Sequence, residues 1–214
     1  NCLKYYLKKK NYKIYTLTKS KQNYPKEITQ IISNLKSKKL KEKLNNYSFN
    51  YVINTALYVN HETQHEKGLN ILNYNFECIK NLIHSLNRNR LEKFIHIGSA
   101  DEYRNTFKII NENNTCEPKN YYSLSKIIIT NYLILLNRLE RFPVIILRTF
   151  LVYGEYQKTN RLIPYIINNG LKKNNINLSS GSIIRDFLYV EDFLTAINKS
   201  MKTKINGEII NICY

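Results

Sequence analysis

Apolar residues recur along this chain with two periods, one helical and one alternating. Leu3, Tyr6 and Leu7 share one side of a helix expected over Cys2 to Lys10, and Asn11 closes it. Lys13 to Leu17 alternates as a strand. Glu27 to Ser33, carrying Ile28, Ile31 and Ile32, reads as a second. Lys38 to Leu44 has the spacing of a short surface helix, and Phe49 to Ala56 that of a compact strand. A long helix is expected over Asn70 to Leu86, then a strand over Phe94 to Gly98. A loop rich in Asn, Thr and Pro runs to Asn120, and a second long helix spans Tyr122 to about Arg141. Pro143 restarts the chain into the fully apolar strand Val144 to Leu147, and Glu208 to Tyr214 reads as a last strand.

Strand and helix alternate, which predicts an α/β fold with a doubly wound, mostly parallel sheet. Crossovers in such sheets are right-handed, and ligands bind beyond the carboxyl ends of the strands. The residues just after strands are therefore the candidates for binding: Thr18 and Lys19, Asn34 and Leu35, Thr55 and Ala56, and Ser99.

The 214 residues suffice for one sizeable α/β domain, or one domain and part of another. A formal charge of +17 raises the question of a nucleic-acid partner. The lysines are spread along the chain, however, and Asn, Ile and Tyr are abundant with them. This is a compositional bias of the whole sequence, with no nucleic-acid motif beside it, so no nucleic-acid partner is expected. The 4 cysteines form no Cys-x-x-Cys pair, which leaves a metal site unsupported and suits a reducing cytoplasm. No signal peptide or membrane span is visible. The most apolar run, Ile127 to Leu136, is interrupted by Thr130 and Asn131 and reads as a buried helix. The chain opens on Asn1 with helical periodicity at once and closes on a strand, which reads as an internal piece of a longer protein.

Tyr122 and Lys126 stand four residues apart at the start of the second long helix, so they share a face. An ammonium favours the phenolate, so Tyr122 is expected to ionise more easily than free tyrosine and to serve as proton donor and acceptor. In a chain this rich in Tyr and Lys, the spacing gains its weight from the flanking blocks.

Those blocks are Tyr51 to Ala56, Phe94 to Tyr103, Pro118 with Asn120 to Ser123, Leu147 to Gly154, Arg185 to Asp192, and Gly207 to Ile212. Six in order make the chain resemble the extended short-chain dehydrogenase/reductase family, the nucleotide-sugar epimerases and dehydratases. The resemblance implies a Rossmann-type domain over 1–158, the start of a substrate-binding lobe over 159–204 and a returning strand over 205–214. It implies NAD or NADP as cofactor and a nucleoside-diphosphate sugar as substrate. Tyr122 would be the acid/base for a sugar hydroxyl, Lys126 would hold the nicotinamide ribose, and Ser99 would hydrogen-bond the same sugar oxygen. Thr18, Lys19, Asn34, Leu35, Thr55 and Ala56 would contact the cofactor. Asp101, Arg161 and Arg185 would contact the substrate, and Glu102 is a further candidate. The guanidinium of Arg185 suits a diphosphate. Lys19 stands where NAD-selective members carry a carboxylate and suits a 2′-phosphate. A homodimer is expected from the resemblance, through Ile71 to Leu86 and Tyr122 to Glu140.

The chain also departs from the pattern. No glycine falls in the first sixty residues, so the Gly-rich turn that admits a pyrophosphate is absent, and with it the family's first strand. Ala100 stands where dehydratases place an acid, which disfavours 4,6-dehydration. Arg104, Leu151 and Glu155 replace common glycine, asparagine and proline. The activity expected first is epimerisation, next keto-sugar reduction, then dehydration. The reading from a different class is a non-catalytic scaffold.

Overall fold

The computed structural model describes residues 2–9, 11–104, 109–178, 180–182 and 184–214. Helix α1 (Cys2–Lys8) leads into strands β1 (Ile14–Thr18) and β2 (Ile28–Ile32), followed by the short helix α2 (Leu40–Leu44) and strand β3 (Tyr51–Asn54). Helix α3 (His65–Ser85), strand β4 (Lys93–Ser99) and a 3₁₀ turn (Ala100–Glu102) come next. Helix α4 (Tyr121–Glu140) and strand β5 (Val144–Thr149) complete the central part. Beyond them lie β6 (Leu151–Tyr153), α5 (Leu162–Leu171), β7 (Phe187–Tyr189), α6 (Val190–Lys202) and β8 (Glu208–Ile212). Lys10, the expected end of the first helix, lies outside the described residues.

Every ladder is parallel, as the alternation of strand and helix requires. The main sheet runs β3-β4-β5-β8, with β1-β2 and β6-β7 as separate pairs. Successive residues of a strand face opposite sides, so β4 and β5 feed two cores. Phe94, Val144 and Ile146 pack with Leu40, Ile79, Leu82 and Leu133 of α2, α3 and α4. Ile95, Ile145 and Leu147 pack on the other side with Tyr6 of α1 and Leu194, Ile197 and Met201 of α6. With both faces covered, these strands carry apolar residues on both sides, as Val144 to Leu147 of β5 do without interruption. No ladder joins β1 to β3. Their neighbourhood is bridged by side chains, with the rings of Tyr12 and Tyr51 meeting edge-on at 6.4 Å.

Helix α3 begins five residues before the periodicity suggested. Its first turns are polar, and Gly68 is buried there because the Tyr121 ring lies where a side chain would be. Helix α4 starts on a reciprocal cap. Asn120 accepts from the Ser123 N–H at 2.9 Å, and Ser123 Oγ accepts from the Asn120 N–H at 3.1 Å. It ends at Arg141, whose left-handed backbone (φ 55°) turns the chain into Pro143, which cannot continue a helix. Among the described residues no helix is long and apolar enough to cross a membrane, and no cluster of His, Cys, Asp and Glu is arranged to hold a metal.

Candidate functional site

The capped start of α4 fixes the first side chains. Tyr122 and Lys126 are both buried, and the Lys126 ammonium lies 5.7 Å from the centre of the Tyr122 ring. Lys126 Nζ donates to the Ile97 carbonyl at 2.6 Å, which ties the second turn of α4 to the carboxyl end of β4. Ser99 ends that strand. Its Oγ accepts from the Asp101 N–H at 3.1 Å, and its own O–H has no acceptor among the described residues. The hydroxyl is thus held as an acceptor by the backbone of the following turn, with its proton left to give.

The electrostatics run against the expectation for Tyr122. Burial, with Asp101 and Glu102 nearby, pushes its phenol up to about 12, and burial pulls Lys126 down to about 8 against the pull of Glu102 and Asp101. In the chain by itself, desolvation and the two carboxylates set the balance, and Tyr122 holds its proton. Asp101 therefore lies within electrostatic reach of both groups, on the turn that follows Ser99.

Glu102 does not face a ligand. It is fully buried, pairs with Arg148 at 2.9 Å and accepts from Thr130 Oγ1 at 2.9 Å. The signal was present in the sequence. Ser99-Ala-Asp-Glu102 is a capping-box spacing, and an arginine inside an apolar strand needs an acidic partner. Asn75, a polar residue on the buried face of α3, was not singled out at all. Its side-chain amide accepts from the Tyr58 N–H at 2.8 Å, donates to the Tyr58 carbonyl at 3.1 Å and donates to Ser125 Oγ at 3.0 Å. One amide thus fastens the loop after β3 to α4. That loop also brings His61 edge-on to the Tyr122 ring at 5.3 Å, with Asn120 Nδ2 3.3 Å from His61 Nδ1. His96, wholly buried on β4, stays neutral and meets Asn54 Nδ2 through Nδ1 at 2.9 Å.

The other predicted contacts fall at strand ends. Thr18 closes β1, and its buried Oγ1 has no partner among the described residues. Lys19 lies 5.2 Å from the centre of the Tyr74 ring on α3, and Lys36 lies 5.4 Å from the same centre. Tyr74 also meets Tyr58, so the ends of β1 and β3 border the same stretch of α3. Asn34 Oδ1 accepts from the Lys36 N–H at 3.0 Å in a turn after β2, and Leu35 packs at the edge of the core. Thr55 and Ala56 are exposed beyond β3. Arg161 precedes α5 and Arg185 precedes β7. Both are exposed, neither forms an ion pair among the described residues, and neither touches Ser99, Tyr122 or Lys126. The structure therefore brings Ser99, Asp101, Tyr122 and Lys126 together and leaves the two arginines on the separate β6-β7 segment.

A parallel α/β sheet with a tyrosine, a lysine and a serine at the carboxyl end of one strand defines a dinucleotide-dependent class of fold and site. Residues 2–213 match the model described as the NAD dependent epimerase/dehydratase family, and the chain belongs to that family. It is 31% identical over 135 residues to a human dTDP-D-glucose 4,6-dehydratase, covering 61% of this chain and 38% of the relative. It is 28% identical over 201 residues to a putative UDP-glucose 4-epimerase of Methanocaldococcus jannaschii, covering 91% of this chain and 65% of the relative. The chain thus spans between 38% and 65% of these relatives. Its fold matches the UDP-glucuronic acid 4-epimerase of Bacillus cereus, solved with UDP-glucuronic acid and NAD. The TM-score is 0.83 at 21% identity, over 99% of this chain and 73% of that one.

Proposed function

We propose that this chain carries the catalytic centre of an NAD(P)-dependent epimerase-type enzyme, acting on a nucleoside-diphosphate sugar at one carbon of the sugar. The observation that supports it is the placement of Tyr122, Lys126 and Ser99 around the carboxyl end of β4. The chain's residues fit the nicotinamide-ribose end of a dinucleotide. Lys126 is a buried ammonium whose side-chain bond among the described residues goes to one carbonyl, so two of its three N–H groups remain for ribose hydroxyls. The unpartnered Thr18 hydroxyl suits the opposite end. No glycine-rich turn for the pyrophosphate is present in this chain. When bound, the dinucleotide supplies the hydride acceptor and donor.

In this reading Tyr122 exchanges a proton with the reacting sugar oxygen, Ser99 donates a hydrogen bond to that oxygen, and Lys126 holds the ribose and opposes negative charge on Tyr122. Arg185 and Arg161 are free cations for the diphosphate, Asp101 contacts the sugar, and the whole protein acts as a cytoplasmic homodimer. Keto-sugar reduction is the second reading, favoured by Tyr122 holding its proton: a protonated phenol is ready to give one to a carbonyl oxygen.

The test offers UDP-, dTDP- and GDP-sugars and their 4-keto forms to the protein with NAD or NADP and follows the reduced-nicotinamide absorbance and the sugar product. Turnover without net cofactor change supports epimerisation, and stoichiometric NADPH consumption supports reduction. Tyr122→Phe is expected to lower kcat by roughly 10²–10⁴-fold. Undiminished turnover in that variant, or no conversion of any of these sugars, overturns the proposal.

A further inference from the structure

Glu102 is a buried carboxylate with every contact assigned. Its Oε1 accepts from the backbone N–H of Ser99 at 2.9 Å. Its Oε2 accepts from Thr130 Oγ1 at 2.9 Å, from Arg148 Nε at 3.0 Å and from Arg148 Nη2 at 2.9 Å. One side chain therefore joins the end of β4, the helix that carries Tyr122 and Lys126, and strand β5. Arg148 is itself held from behind, 4.6 Å from the centre of the Tyr103 ring and with Nη2 3.2 Å from Cys116 Sγ.

The backbone is shaped around this carboxylate. Gly98 pairs with Arg148 across the β4-β5 ladder. A Cβ at Gly98 would stand 2.8 Å from Glu102 Oε1 and 3.0 Å from Arg148 Cγ, so the missing side chain is the space the carboxylate occupies. A buried charge persists only when paired and hydrogen-bonded, and both oxygens of this one are engaged. Ser99 is fixed twice by the same turn, through its N–H to Glu102 and through its Oγ from the Asp101 N–H.

We propose that Glu102 is the positioning residue of this site: its carboxylate locks the Ser99 end of β4 to Thr130 on α4 and Arg148 on β5, and so sets the Ser99 hydroxyl relative to Tyr122 and Lys126. The catalytic consequence rests on the function proposed above; the locking does not. Reach and charge make different demands. Glu102→Asp keeps the charge opposite Arg148 and withdraws the carboxylate from Ser99 by one methylene. The double variant Glu102→Gln with Arg148→Met keeps an acceptor within reach of Ser99 and removes both charges, leaving no unpaired ion to prevent folding.

The first readout needs no substrate: amide hydrogen exchange followed by NMR on the whole chain. In Glu102→Asp the Ser99 amide is expected to exchange roughly tenfold faster, as for loss of one bond to a charged acceptor, while Ile95 and Ile145 amides keep their protection. The double variant is expected to leave Ser99 protected. The second readout is turnover. Glu102→Asp is expected to lose roughly 10²-fold in kcat with KM unchanged, and the double variant to recover most of it. A Ser99 amide that stays protected in Glu102→Asp overturns the proposal, as does protection lost uniformly through the core or turnover that follows the charge instead of the reach. If the parent converts no sugar, the proposed function fails while the exchange data still decide the positioning.

Discussion

Replacing Lys126 by methionine tests the electrostatics of the site without any ligand. Lys126 is 5% exposed, and burial lowers it from 10.5 to about 8. A lysine depressed on folding destabilises the native state wherever it must stay charged, so its contribution improves as pH rises from the folded value towards the unfolded one. The folded chain releases this proton as pH rises through about 8, while the unfolded chain keeps it until about 10.5, so raising the pH from about 7 to about 9.5 gains about 2 kcal/mol in unfolding free energy. The thiols act in the opposite sense. Burial raises Cys2 to about 11 and also raises Cys78 and Cys116, so the folded chain retains protons that the unfolded chain loses. Only the difference between parent and variant isolates Lys126. Urea unfolding at a series of pH values across that window, under reducing conditions, measures it. The advantage of Lys126→Met over the parent is expected to be greatest near neutrality and to shrink by about 2 kcal/mol at the alkaline end. Parallel profiles would refute the claim that this ammonium is held in a poorly solvated place.

Two glycines should respond with opposite signs. A Cβ at Gly68 would lie 1.9 Å from the Tyr121 ring, so Gly68→Ala is expected to cost about 1–3 kcal/mol in thermal or urea unfolding. Gly170 in α5 has nothing within 4 Å of its would-be Cβ, and Gly170→Ala is expected to stabilise by up to about 1 kcal/mol. Asn75→Leu removes three bonds to Tyr58 and Ser125. It should cost about 1–3 kcal/mol and make the loop after β3 the first site of limited proteolysis. Phe94→Ala, at a wholly buried position in the core beneath α2, α3 and α4, should cost about 3–5 kcal/mol by urea unfolding.

Local pattern was enough to place β1, β4, α4 and β5: β1 alternates, β4 and β5 are short apolar runs, β5 restarted by Pro143, and α4 carries a cap and a stop in plain sight. Asn120, Ser123 and Pro143 mark the ends of α4 without help from tertiary contacts. Helix α3 was read short because its opening turns owe their place to packing of Gly68 on Tyr121, which no local pattern reveals. Between Arg148 and Gly207 the sequence reading offered blocks without elements. Helix α6 is nevertheless amphipathic through Leu194, Ile197 and Met201, a spacing of three and four. The strand-end positions and the shared helix face of Tyr122 and Lys126 were legible. The protonation of Tyr122 was not, since a formal charge four residues away is visible in a sequence and desolvation is not. Glu102 was read as a sugar contact and Asn75 was passed over for a related reason: their importance lies in what they bond inside the protein.

The separation of β1 from β3 has a cost of its own. Among the described residues each strand has a ladder on one side only, to β2 and to β4, which leaves a row of amide and carbonyl groups on the other. Such a row is a template for any extended peptide, including the same strand of another molecule. Concentrated samples of this chain would therefore be prone to sticking through backbone pairing, and a strand-length peptide inserted there would act as a solubiliser before it acted as anything else.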